Sequence, residues 1–143
     1  MNRRQFLTTS ASVVAGTSCT SLSQNKKQTI PIVDTHQHLW NLDRFKLNWL
    51  GEAPPILNRS FHLEDYLKAT KGLNVVKAIY LEVDVIPSQQ NDEARFVIEI
   101  SRDPKHPTVA GVISGRPENE KFKKYIDQYK DNKHIKGLRR LME

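Results

Sequence analysis

One cysteine in 143 residues, no acidic residue among the first 25, and no long apolar run are the absences that bound this sequence. A lone Cys cannot staple a disulfide scaffold or build a thiolate metal cluster. Without a run of about 18 apolar residues there is no candidate transmembrane helix. The length falls short of the roughly 200 residues that a complete (β/α)₈ barrel needs. What is present is ordinary for one folded domain: 38% hydrophobic and 27% charged residues give it a core, and a disordered chain would carry fewer apolar residues. No repeat, low-complexity tract or shift of composition marks a second domain.

The formal charge of +6 invites a nucleic-acid reading and does not support it. Residues 1–25 contribute Arg3 and Arg4 and no acid, so 20 basic residues face 16 acidic ones in the rest. There the lysines alternate with acids, as in Glu118-Asn119-Glu120-Lys121-Phe122-Lys123-Lys124, whereas a phosphate-binding stripe is clustered and unopposed. No nucleic-acid partner is expected.

Residues 1–25 read as an export leader. Arg3-Arg4-Gln5-Phe6-Leu7 is followed by a weakly apolar stretch, Thr8 to Gly16, rich in Ser, Thr and Ala. The adjacent arginines resemble a twin-arginine signal, which implies a periplasmic, exported protein. Cys19 stands where a lipoprotein would carry its modified cysteine, but Gly16 occupies the position three residues earlier that is usually aliphatic. A lipid anchor at Cys19 is an alternative that Gly16 argues against.

Residues 30–143 read as alternating strands and helices. Ile30 to Thr35 forms a first strand with Pro31 near its start, where a missing N–H is tolerated. A long polar and aromatic connection follows, and Ser60 is placed to cap a helix from Phe61 to about Lys71, stopped by Gly72. Val75 to Val83 is a second strand, β-branched and aromatic. Ser88 is placed to cap a helix to about Arg102. Thr108 to Ile113 is a third strand, Pro117 opens a third helix, and His134 to Arg139 is a fourth strand. Strands separated by crossover helices pair in parallel. The fold class expected is α/β, with about four parallel strands.

Val33-Asp34-Thr35-His36-Gln37-His38-Leu39-Trp40 carries the chemistry. Residues two apart on a strand project from one face, so His36 and His38 emerge together at its C-terminal end. Two imidazoles there can share a divalent metal or address a carbonyl substrate. Zinc takes three or four protein ligands, so the pair is at most half a metal site. Glu82 and Asp84 close the second strand. Arg139 and Arg140 close the fourth, and Arg139 can donate two parallel hydrogen bonds to a carboxylate or lactone oxygen. Trp40 and Trp49 lie in the long first loop, where aromatic faces either line a sugar site or plug the mouth of a barrel.

A first strand ending Val-Asp-Thr-His-x-His resembles the amidohydrolase superfamily. The longer string VDTHQHLWNLDRFKLNWL is similar to the amidohydrolase-related (amidohydrolase 2) branch, which includes sugar-lactone hydrolases of the L-fuconolactonase and L-rhamnono-lactonase type. Leu39 stands where that branch usually has Phe, and Asn48 where Pro is common. VVKAIYLEVD and HIKGLRRL resemble its second and fourth strands. The resemblance runs from about Pro31 to Leu141 and covers only the first half of the family barrel.

This resemblance implies an N-terminal half of a (β/α)₈ barrel, truncated after strand four. It implies a hydrolase that opens a lactone or related cyclic ester or amide with activated water. His36 and His38 are then the catalytic and metal-binding pair. Zinc is the implied metal, although several lactonases of the branch dispense with it. Trp40, Trp49, Glu82 and Arg139 become candidate contacts to a small-molecule substrate. The catalytic Asp of the family would lie beyond Glu143, so the 143 residues alone are expected to be inactive. His62, His106 and His134 cannot replace the absent groups by motif. Two alternatives stand beside this reading: a decarboxylase or hydratase of the same superfamily, and a small non-catalytic α/β binding module.

Overall fold

A computed structural model describes residues 30–141. The leader 1–25 and Cys19 lie outside the described residues, as does Glu143. Four strands, β1 (Ile32–Gln37), β2 (Val75–Leu81), β3 (Thr108–Ser114) and β4 (Ile135–Arg139), form one sheet in the order β1-β2-β3-β4. Every neighbouring pair is parallel. Helices α1 (Leu63–Ala69), α2 (Gln90–Arg102) and α3 (Phe122–Asp127) fill the three crossovers. A doubly wound sheet reverses its strand order at a switch point; here the order runs in sequence, as in a barrel. The fold is an α/β half-barrel, as expected.

Two side-chain pairs skip a strand and show which way the sheet curls. The Thr108 hydroxyl of β3 donates to Gln37 Oε1 of β1 at 2.6 Å, across β2. Arg139 of β4 reaches Glu82, just past the end of β2, across β3. Strands two apart are roughly 10 Å from each other in a flat sheet, so these contacts need a concave face. Contacts between odd strands and between even strands are how the interior of a (β/α)₈ barrel is layered.

The apolar core lies between the sheet, α2 and the long first loop. Ala94, Val97 and Ile100 form the buried stripe of α2 at helical spacing. Gly111 of β3 lets α2 approach: a Cβ there would stand 2.5 Å from Val97 Cγ1 and 3.1 Å from the Tyr80 carbonyl oxygen. Gly111→Ala is therefore expected to cost about 1–3 kcal/mol through overpacking, read as a lower urea midpoint. An unchanged midpoint would mean that α2 shifts freely on the sheet.

The loop from Leu39 to Ser60 belongs to the core. Leu39, Trp40, Phe45, Leu47 and Leu50 are all buried. Trp40 and Phe61 exchange two backbone hydrogen bonds in an antiparallel bridge. The indole N–H groups of Trp40 and Trp49 donate to the Arg59 and Val83 carbonyls, each at 2.7 Å.

Helix starts differ from expectation because side-chain acceptors are spent elsewhere. Ser60 Oγ accepts the Leu42 N–H, and the bridge to Trp40 holds Phe61 extended. Helix α1 therefore begins at Leu63 with His62 as its first flanking residue, whose N–H donates to the Asp65 carboxylate. Gly72 follows with φ +86°, a left-handed position that suits glycine. Pro87–Gln89 makes a 3₁₀ turn before α2, and no side chain caps that helix, so Ser88 does not do so. Pro117 falls in a turn. The Asn119 side chain takes the Lys121 N–H, and α3 starts only at Phe122.

Candidate functional site

The paired histidines sit where strand alternation puts them. β1 ends at Gln37, and the His36 and His38 rings meet edge to face with centroids 4.9 Å apart. Asp34 shapes this end: its carboxylate accepts the His36 N–H and the Tyr66 hydroxyl of α1, each at 2.9 Å. His38 Nδ1 lies 3.0 Å from the Leu81 carbonyl oxygen. A carbonyl only accepts, so Nδ1 carries the hydrogen and Nε2 keeps its lone pair. Burial lowers the His38 pKa from its ordinary value; the bond to Leu81 opposes that effect, and the charges of His36 and Arg139 add to it. His38 is thus a neutral imidazole whose Nε2 is the acceptor nitrogen.

Glu82 and Arg139 come together. Glu82 is 1% exposed, and its Oε1 is paired with Arg139 Nε. Arg139 Nη2 also donates to the Glu82 carbonyl at 3.0 Å, and Glu82 Oε2 accepts the Asp84 N–H at 2.7 Å. The structure holds Arg139 in an ion pair with Glu82. Asp84, at φ +52°, pairs with Arg116 at 3.1 Å. Arg140 turns to Glu118 on the surface.

The two tryptophans are packed into the first loop. Trp40 is 7% exposed and packs against Trp49 and Phe61; Trp49 is half-buried. With both indole N–H groups bonded to backbone, these rings pin the first loop. His134 Nδ1 donates to the Val109 carbonyl at 3.1 Å, away from the strand ends that carry the pair. Among the described residues, no group of three or more His, Cys, Asp or Glu side chains could hold a metal ion. His36 and His38 remain two donors where zinc takes three or four.

Three buried groups escaped the sequence reading. Gln37 and Thr108 form the cross-strand bond described above. Glu93 of α2 is fully buried, accepting the Val83 N–H at 2.7 Å and facing the Tyr80 hydroxyl at 3.1 Å. A signal for Glu93 existed, because it stands at the 93-97-100 spacing of the apolar stripe of α2.

No family model matches the chain. A curated relative, the uncharacterized protein y4mH of Sinorhizobium fredii, is 25% identical over 126 residues, covering 79% of this chain and 40% of the relative. Among solved structures, amidohydrolase 2 from Bifidobacterium longum subsp. infantis superposes with a TM-score of 0.51 at 28% identity. That match covers 62% of this chain and 34% of the other. Fold and identity together support the amidohydrolase superfamily. They do not single out its lactone-hydrolysing branch. The chain spans well under half the length of either protein.

Among the described residues no helix is long and apolar enough to cross a membrane.

Proposed function

We propose that the whole protein is a hydrolase that opens a sugar lactone or related cyclic ester or amide with activated water. The observation that carries this reading is the histidine pair at the end of β1, with His38 held neutral and its Nε2 free. A neutral imidazole presenting a lone pair accepts a proton from water or ligates a cation; it cannot donate a hydrogen bond to a carbonyl oxygen. Polarising the substrate carbonyl therefore falls to another group. The Arg139 guanidinium has donor positions beyond the two it uses, and its side chain is 26% exposed.

The described residues offer two of the donors zinc would need, so they do not complete a metal centre and no step is derived through one. On this reading residues 1–25 export the protein to the periplasm by the twin-arginine route.

The full-length protein, assayed on sugar lactones, is expected to lose at least about 100-fold in kcat with His38→Ala, the size usual for a positioned general base. His36→Ala is expected to weaken catalysis in the same direction. Unchanged rates in both variants would remove the pair from the active site.

A further inference from the structure

Glu93 has no part in the proposed chemistry, yet its carboxyl lies behind two of the candidate site residues. One oxygen, Oε1, accepts the N–H of Val83, which follows Glu82. The same oxygen faces the Tyr80 hydroxyl, which also lies 3.2 Å from the carbonyl of Leu39, the residue after His38. The other oxygen, Oε2, is buried without a hydrogen-bond partner among the described residues. Tyr80 is fully buried, so its hydroxyl is out of reach of bulk solvent.

That hydroxyl has one hydrogen and two acceptors. A backbone amide carbonyl is a better acceptor than the carbonyl of a neutral carboxylic acid. A carboxylate is better than either, because hydrogen bonds to an ionised acceptor are roughly twice as strong as neutral ones. We propose that Glu93 is a positioning residue operated by its proton: with neutral Glu93 the Tyr80 hydroxyl donates to the Leu39 carbonyl and ties down the end of β1, and with ionised Glu93 the same hydroxyl donates to the carboxylate and releases the tie behind His38. The Val83 bond persists in both states, so the end of β2 stays fixed while the end of β1 changes. The only chemical event is loss of the Glu93 proton to solvent.

The surroundings place this exchange in an accessible range. Burial pushes the Glu93 carboxyl up to about 7, with the Glu82 and Asp84 charges adding to the rise and the bonds from Val83 and Tyr80 opposing it. The groups that face it are Tyr80, Glu82 and Asp84 from β2 and the turn beyond it, and Tyr125 from α3. Arg139 of β4 acts on the same cluster through Glu82 and Tyr80. Tyr80 is itself held well above the ordinary tyrosine value by burial, so the phenol keeps its hydrogen throughout.

The inference does not depend on the hydrolase reading, and its test does not use activity. In the full chain labelled with ¹³C and ¹⁵N, the Leu39 carbonyl carbon, the Val83 amide and the Glu93 carboxyl carbon are followed by NMR from pH 5 to 8.5. All three are expected to move together with one midpoint near neutrality, and to do so equally in a His36→Ala/His38→Ala variant. In Glu93→Gln the Leu39 and Val83 steps disappear. In Tyr80→Phe the Glu93 and Val83 steps remain and the Leu39 step is lost, a separation that a merely structural role would not produce. A Leu39 step that survives Tyr80→Phe overturns the proposal. So does a Glu93 carboxyl that titrates while the Leu39 carbonyl stays still.

Discussion

Arg139→Leu is expected to cost about 3–5 kcal/mol of folding stability, the range found when one partner of a buried ion pair is removed. Glu82 is buried on every side, and its two oxygens are committed to Arg139 Nε and to the Asp84 N–H. Taking away the guanidinium strands a carboxylate in a low-dielectric site and deprives the Glu82 carbonyl of its donor as well. Arg139→Lys should fall between, because a single ammonium cannot serve the carboxylate and the carbonyl with the geometry of the planar fork. Adding Glu82→Gln to Arg139→Leu should recover more than half of the loss, since no charge is then left buried.

Urea unfolding of the three variants checks this order. A loss below about 1 kcal/mol for Arg139→Leu would match an exposed pair. It would mean that Glu82 is wetter than its contacts indicate.

The same pair shows where the sequence could be read and where it could not. β2 declares itself in Val75-Val76-Lys77-Ala78-Ile79-Tyr80-Leu81, since β-branched and aromatic residues suit a pleated, half-buried surface. The histidines are legible because alternation is a local rule, and the crossover pattern because helix and strand periods differ within a few residues.

Glu82 and Arg139 are 57 residues apart. Each was visible as a charged residue at a strand end, but only the curl of the sheet brings them together across β3. The Trp40 and Trp49 indoles are open to two readings for a similar reason: whether an aromatic face is free depends on what the loop packs against it, and the carbonyls that anchor the two N–H groups lie 19 residues or more away. Helix starts were misplaced because capping is a competition. Ser60 is a good N-cap by type, and it lost that role to a loop amide, Leu42, that no local pattern names.

Glu93→Gln is expected to reverse its effect on stability between pH 5 and pH 8. The folded chain keeps this carboxyl fully buried and raises it from the ordinary 4.5 to about 7. The raised value means that the fold prefers the neutral acid. The contribution is whole below the unfolded value near 4.5 and is lost as pH rises through about 7, because the unfolded chain releases the proton first. Each factor of ten in proton affinity is about 1.4 kcal/mol, so the gap amounts to about 3 kcal/mol lost by pH 8.

Glutamine carries no proton to lose. Its carbonyl can still accept the Val83 N–H, while its amide nitrogen replaces an oxygen that had no partner, at a pH-independent cost of about 1 kcal/mol for a buried donor left unmade. At pH 5 the variant should therefore unfold slightly more easily than the parent. At pH 8 it should be the more stable of the two by about 2 kcal/mol. Titrations elsewhere, including that of His38, are common to both chains and cancel in the difference. Denaturant midpoints measured for both across this range test it: a difference that stays flat with pH would show that Glu93 is already ionised in the fold, and with it that the buried carboxyl is solvated by groups or water beyond Val83 and Tyr80.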